Sequence, residues 1–69
     1  MKILFAQRLR ELRKEKNLLQ SELAKELNIT QRKVSYWEKE KIEPDLASLW
    51  KLSDFFGVSV DYLIGKSEF

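Results

Sequence analysis

The 69-residue chain has no cysteine and no histidine, one proline and only two glycines. Without cysteine there is no disulfide and no thiol nucleophile; without either residue the common zinc-ligand sets are missing, and so is the usual proton shuttle near neutral pH. Long apolar runs are also absent. Ile3-Leu4-Phe5-Ala6 is interrupted by Gln7 and Arg8, well short of the roughly 7–15 residues of a secretory core or the roughly 20 of a membrane span. There is no glycine-rich phosphate loop, and the carboxylates fall on solvated helix faces. A chain this short has no room for a deep pocket. These absences argue against an enzyme, a small-molecule substrate, a metal or a cofactor, and they predict a soluble cytoplasmic protein with no membrane partner. The length allows one domain over residues 1–69, stabilised by packing, helix caps and a possible partner subunit.

What is present is charge, unevenly placed. Residues 1–41 hold eleven Lys and Arg against six Asp and Glu, whereas residues 42–69 hold two against five. The first part suits an anionic partner and the second does not.

The apolar spacing is helical throughout. Phe5, Leu9 and Leu12 predict a first helix over about 3–16, stopped near Asn17. Leu23, Ala24 and Leu27 give a second over about 20–27, ended by Asn28, a residue that tolerates the left-handed conformation. Thr30 caps a third over about 31–39, with Val34 and Trp37 inward. Pro44 closes the next connection, and Asp45 caps a fourth helix carrying Leu46, Leu49, Leu52, Phe55 and Phe56, ended by Gly57. Ser59 caps a fifth with Val60, Leu63 and Ile64, ended by Gly65, after which Lys66 to Phe69 look frayed. The fold class is all-α, five short helices in one compact unit.

Helices two and three are joined only by Asn28, Ile29 and Thr30, and the small Ala24 precedes the turn by four residues. Such a turn sets two helices at a steep angle, and Ala24 lets their backbones approach, the pattern of a helix-turn-helix over about 20–39. At this point the chain resembles the phage-repressor, Cro-like and Xre-like helix-turn-helix proteins over about residues 5–65. The resemblance is carried by Gln20, Leu23-Ala24, Ile29, Val34-Ser35, Trp37-Glu38, Pro44, Leu49, Gly57-Val58 and Asp61-Tyr62-Leu63. It implies a five-helix lambda-repressor-like domain that binds double-stranded operator DNA as a homodimer, with the third helix in the major groove.

At 100° per residue, Val34, Trp37, Glu38 and Lys41 share one side of helix three, and Arg32, Tyr36 and Lys39 the other. Trp37 is therefore core, whereas Tyr36 lies on an outward stripe between two cations, either as plain surface or in a groove. Arg32 and Lys33 occupy the first turn, where the helix dipole disfavours cations by roughly 0.3–1 kcal/mol each. Phosphates or guanine edges would compensate. Gln31 suits adenine and Arg32 guanine, each by a bidentate pair. Gln20 is better placed for a phosphate, as its match to the family also implies, and Thr30 joins the same surface. Lys39, Lys41 and Ser35 add positioning contacts. Glu38 faces inward and needs a partner, for which Arg13, one turn beyond Leu9, is the natural residue; the resemblance implies the same structural pair.

Two positions depart from the family pattern. Leu19 stands where Ser or Thr usually caps helix two, leaving Glu22 as half of a capping box. Glu40 stands where the family usually has Gly; since Glu would be strained in a left-handed cap, either helix three runs further or the loop to Pro44 has another shape. That puts contacts from Lys39 and Lys41 in doubt. Val60, Asp61, Tyr62 and Leu63 are candidates for the dimer surface, with Trp50 or Phe55 either extending it or filling the core. The leading expectation is a sequence-specific regulator of transcription, a repressor on a palindromic operator. The competing one is a protein-interaction module, antitoxin-like or binding an anti-repressor, that uses the helix-turn-helix as scaffold.

Overall fold

The computed structural model describes residues 2–68, and in them the chain forms α1 (Phe5–Glu15), α2 (Gln20–Leu27), α3 (Gln31–Glu38), α4 (Leu46–Phe56) and α5 (Val60–Ile64). No described residue is in a strand. None of these helices is long and apolar enough to cross a membrane.

Three helices start on the side-chain caps expected of them. Thr30 Oγ1 accepts from the Lys33 N–H at 3.2 Å and Asp45 Oδ1 from the Ser48 N–H at 2.8 Å. Ser59 Oγ accepts from the Tyr62 N–H at 3.0 Å. Each satisfies one of the amide groups that a helix leaves unpaired at its start. α1 begins differently, two residues later than its apolar pattern predicts. Leu4 has no side chain that caps; its N–H donates instead to the Ile64 carbonyl at 3.0 Å, which fastens the entry of α1 to the end of α5. Gly65 makes that fastening possible, because a Cβ there would lie 2.7 Å from Leu4 Cγ.

The helix ends share one device. Asn17, Asn28, Glu40, Gly57 and Gly65 all have φ between 57° and 90°. After each, the chain turns back so that the next amide reaches a carbonyl five residues behind: Leu18 to Arg13, Ile29 to Ala24, Lys41 to Tyr36, Val58 to Ser53 and Lys66 to Asp61, at 2.9–3.1 Å. This is the left-handed Schellman ending, and it lets five helices reverse direction within a few residues. Glu40 at φ 60° corrects the expectation that a Glu would avoid this conformation. α3 does not run on; it stops at Glu38, and the local penalty is accepted because the chain must turn there to reach Pro44.

Leu9, Leu23, Val34, Trp37, Leu52 and Leu63 are almost wholly buried in the core, whereas Leu46 and Val60, which lie on the same apolar helical spacing, are exposed. Trp37 meets the Phe5 ring edge-on, centroids 5.9 Å apart. Lys66 and Ser67 are not frayed: the Lys66 N–H is bonded as above, and the Ser67 carbonyl accepts from Arg8 Nη1 at 3.1 Å. Phe69 lies outside the described residues.

Candidate nucleic-acid interface

The turn between α2 and α3 is closed by Asn28 in the left-handed region and by the Ile29 N–H bonded to the Ala24 carbonyl at 2.9 Å. Ala24 is buried, and Leu23, Leu27 and Val34 seal the angle between the two helices. α3 thus projects as a short rod whose inward side is packed.

A polar clamp holds its far end. Arg13 Nε donates to Glu38 Oε2 at 2.7 Å and Arg13 Nη2 to Glu38 Oε1 at 3.0 Å, a two-point pair with the Glu38 side chain 4% exposed. Arg13 Nη1 donates to the Leu18 carbonyl at 2.8 Å, and Arg10 Nη1 to the Glu38 carbonyl at 3.2 Å. Gln20 Nε2 also donates to Glu38 Oε1, at 3.1 Å. Burying a carboxylate is costly unless its lone pairs are engaged. Here α1 and the start of α2 engage them, so α3 is bolted to both. Sequence reasoning gave Gln20 to a phosphate; one of its two amide hydrogens is instead spent on Glu38. Arg10 was missed, since a cation at the edge of an apolar stripe carries no mark of its partner.

The outward side is different. Gln31, Arg32 and Lys39 are exposed, Ser35 and Tyr36 half-buried, and among the described residues none of the five side chains has a hydrogen-bond or ion-pair partner. Arg32 and Lys41 flank the Tyr36 ring, with Cζ 5.8 Å and Nζ 5.7 Å from its centroid. Helical periodicity puts Lys41 on the Val34 side, but α3 ends at Glu38 and the left-handed Glu40 corrects that placement: the turn that bonds the Lys41 N–H to the Tyr36 carbonyl at 2.9 Å folds the lysine back over the helix it has just left. Lys33 stands apart from this group. Its ammonium lies 5.7 Å from the ring centroid of buried Trp37, beside Asp45. The Asp45 carboxyl is held below its ordinary value of 3.8 mainly by hydrogen bonds from Ser48, with a smaller contribution from the Lys33 charge.

The expected dimer residues are divided by the structure. Leu63 is 0% exposed, inside the core, and is withdrawn from any surface role. Tyr62 is half-buried under Arg8, whose guanidinium carbon lies 4.0 Å from its ring centroid and whose Nη1 donates to the Tyr62 carbonyl at 2.9 Å. Arg8 itself is buried, a residue that sequence reasoning passed over although it follows Phe5 by three and so shares its stripe. Val60 and Asp61 are exposed. Of the two aromatics left open, Phe55 packs edge-on against Phe56 at 5.0 Å, whereas Trp50 is 72% exposed with Leu46, one turn earlier, at 85%.

A family model described as helix-turn-helix matches residues 9–63. Among curated proteins, the chain is 43% identical over 61 residues to the HTH-type transcriptional regulator ImmR of Bacillus subtilis, covering 88% of this chain and 48% of that protein. It is 32% identical over 65 residues to the cryptic phage CTXphi transcriptional repressor RstR of Vibrio cholerae, covering 94% and 59%. The chain spans about half the length of the curated relatives it matches. A transcriptional regulator from Listeria innocua superimposes with a TM-score of 0.88 at 34% identity, over 94% of this chain and 61% of that one. The P22 c2 repressor, solved in complex with the synthetic operator 9T, superimposes at 0.84 with 30% identity, over 91% and 96%.

Proposed function

From the premise that the chain belongs to the helix-turn-helix family, we propose that it binds double-stranded DNA sequence-specifically, acts in the cytoplasm and represses transcription. The observation that carries this reading is the contrast across α3. Its inward side is packed and clamped by Arg13, Gln20 and Glu38, while Gln31, Arg32, Ser35, Tyr36 and Lys39 face outward without hydrogen-bond or ion-pair partners among the described residues. A helix held so rigidly on one side, with Arg and Gln unpaired on the other, suits the major groove. The repressor–operator complex of the P22 relative supports the same mode.

In this reading Gln31 and Arg32 contact base edges, and Thr30, Ser35, Lys39 and Lys41 contact phosphates. Lys33, drawn toward Trp37, reaches a phosphate at the groove wall. Gln20 keeps one amide hydrogen for the backbone while Glu38 holds the other. The domain works as one unit over residues 1–69 and pairs with a second copy through the exposed Leu46–Trp50 stripe of α4, together with the exposed Val60 and Asp61 of α5. Two apolar side chains exposed one turn apart favour that pairing, and the acidic C-terminal part stays away from DNA.

Selection from random duplexes tests the proposal. The expected product is an inverted repeat with half-site centres about one helical turn, or a multiple of it, apart. Failure to enrich any sequence at low salt would overturn it in favour of a protein-interaction module.

A further inference from the structure

The outward face of α3 carries one aromatic ring, Tyr36, flanked by two cations. We infer that Tyr36 and Arg32 act as a pair that reads a thymine C5-methyl group close to a guanine, so that the half-site contains this combination. The inference rests on the duplex-binding reading above and deepens it by naming the base feature recognised.

The surroundings of the ring and the chemistry of the groove lead there together. Trp37, adjacent in sequence, is buried, so Tyr36 alone presents a ring to the groove. The ring is half-buried and bordered by Arg32 on the preceding turn and Lys41 on the following one, which restricts where it points. The stacked bases of a duplex offer no open face for an aromatic side chain, because stacking on a base requires an unpaired strand. The apolar feature that the major groove does expose is the thymine methyl. Arg32 has no hydrogen-bond or ion-pair partner among the described residues, so its fork is free for the O6 and N7 of guanine. Arg32 and Lys41 are donors only, so neither offers an acceptor to the N4 amino group of cytosine or the N6 amino group of adenine there.

The helix sets the spacing. Residues four apart rise roughly 6 Å along the axis, and base pairs are stacked about 3.4 Å apart. The methyl and the guanine therefore lie within two base-pair steps. Lys41 belongs to the arrangement through the backbone: its position depends on the left-handed turn at Glu40, and its distance from the ring suits a phosphate beside the thymine sugar.

The test uses the duplex obtained by selection, with each thymine of the half-site replaced in turn by deoxyuridine, which removes only the methyl. Affinity is measured for the full chain and for Tyr36→Phe and Tyr36→Ala. For the unaltered chain and Tyr36→Phe, one replacement is expected to weaken binding about fourfold per half-site, the value of returning one methyl group to water. Tyr36→Ala is expected to bind both duplexes equally. Replacing the nearby guanine should abolish the advantage contributed by Arg32, and Arg32→Ala should become indifferent to it. Equal binding of every deoxyuridine duplex by the unaltered chain would overturn the inference while leaving sequence-specific binding intact. So would a methyl preference that survives Tyr36→Ala. Absence of any preferred duplex would instead overturn the duplex-binding reading itself.

Discussion

Replacing Glu40 by glycine should stabilise the protein, although it deletes a whole side chain. Glu40 sits at φ 60° and, among the described residues, makes no side-chain hydrogen bond or ion pair that the substitution would remove. An L residue in the left-handed region pays about 1–2 kcal/mol relative to the right-handed one. Glycine avoids that cost but has a more disordered unfolded chain, which returns about 0.4–1 kcal/mol. The net gain is about 0.5–1 kcal/mol, or roughly 2–8 °C in Tm for a domain of this length. Part of any gain comes from removing an anion near the carbonyl end of α3, where the dipole disfavours it. Glu40→Gln isolates that part, because it neutralises the charge and keeps the backbone penalty. Thermal and urea denaturation at 0.15 M salt should therefore rank Glu40→Gly above Glu40→Gln, and Glu40→Gln above the unaltered chain. A glycine variant no more stable than the glutamine variant would refute the backbone account and show that charge alone matters.

Leu19 is 65% exposed and its side chain accepts nothing, while its own N–H donates to Glu22 Oε1 at 2.8 Å. Leu19→Ser completes the reciprocal cap and should add about 1 kcal/mol, seen as a higher Tm; an unchanged value would mean that the exposed leucine already contributes as much by packing. Glu38→Gln leaves the Arg13 guanidinium largely buried without its counter-charge and should cost about 3–5 kcal/mol in urea denaturation. Arg13→Met combined with Glu38→Leu should be less damaging than Glu38→Gln alone, and full stability of Glu38→Gln would contradict the clamp. The lowered pKa of Asp45 means that its cap contributes fully above pH 3.8 and is lost as pH falls through the folded-state value. Asp45→Ser, which caps without titrating, should therefore show a shallower fall in urea midpoint from pH 5 to pH 2.5 than the unaltered chain; parallel curves would refute that assignment.

Much of the fold is written in local chemistry. Thr30, Asp45 and Ser59 announce helix starts because each can bond an amide three residues ahead, and they do so. Asn28, Gly57 and Gly65 announce endings because they enter the left-handed region cheaply. Glu40 shows the limit of such signals: its own preference opposes the turn, and only the need to bring the chain from α3 to Pro44 makes it adopt one. Leu4 gives no sign that its amide will reach Ile64, sixty residues away, so the start of α1 is not legible from its own neighbourhood.

The candidate interface divides in the same way. Helical periodicity alone separates Trp37 from Tyr36, and inward Glu38 calls for Arg13. Periodicity is blind to which of several nearby donors also joins a buried carboxylate, so the contributions of Gln20 and Arg10 were not visible. Nor could it tell that Leu63 lies inside and Trp50 outside. Both occur at apolar helical positions, and the difference depends on whether another element covers them.

The central claim is that the outward face of α3 binds the phosphates and bases of duplex DNA, and the salt dependence of affinity tests it most directly. For the selected duplex, the logarithm of the association constant should fall linearly with the logarithm of salt concentration, by about 0.9 for each phosphate neutralised. Lys39→Ala should flatten that slope by about one unit per copy bound while the preferred sequence stays the same. A slope near zero, or a slope unaffected by Lys39→Ala and Lys41→Ala together, would contradict the account.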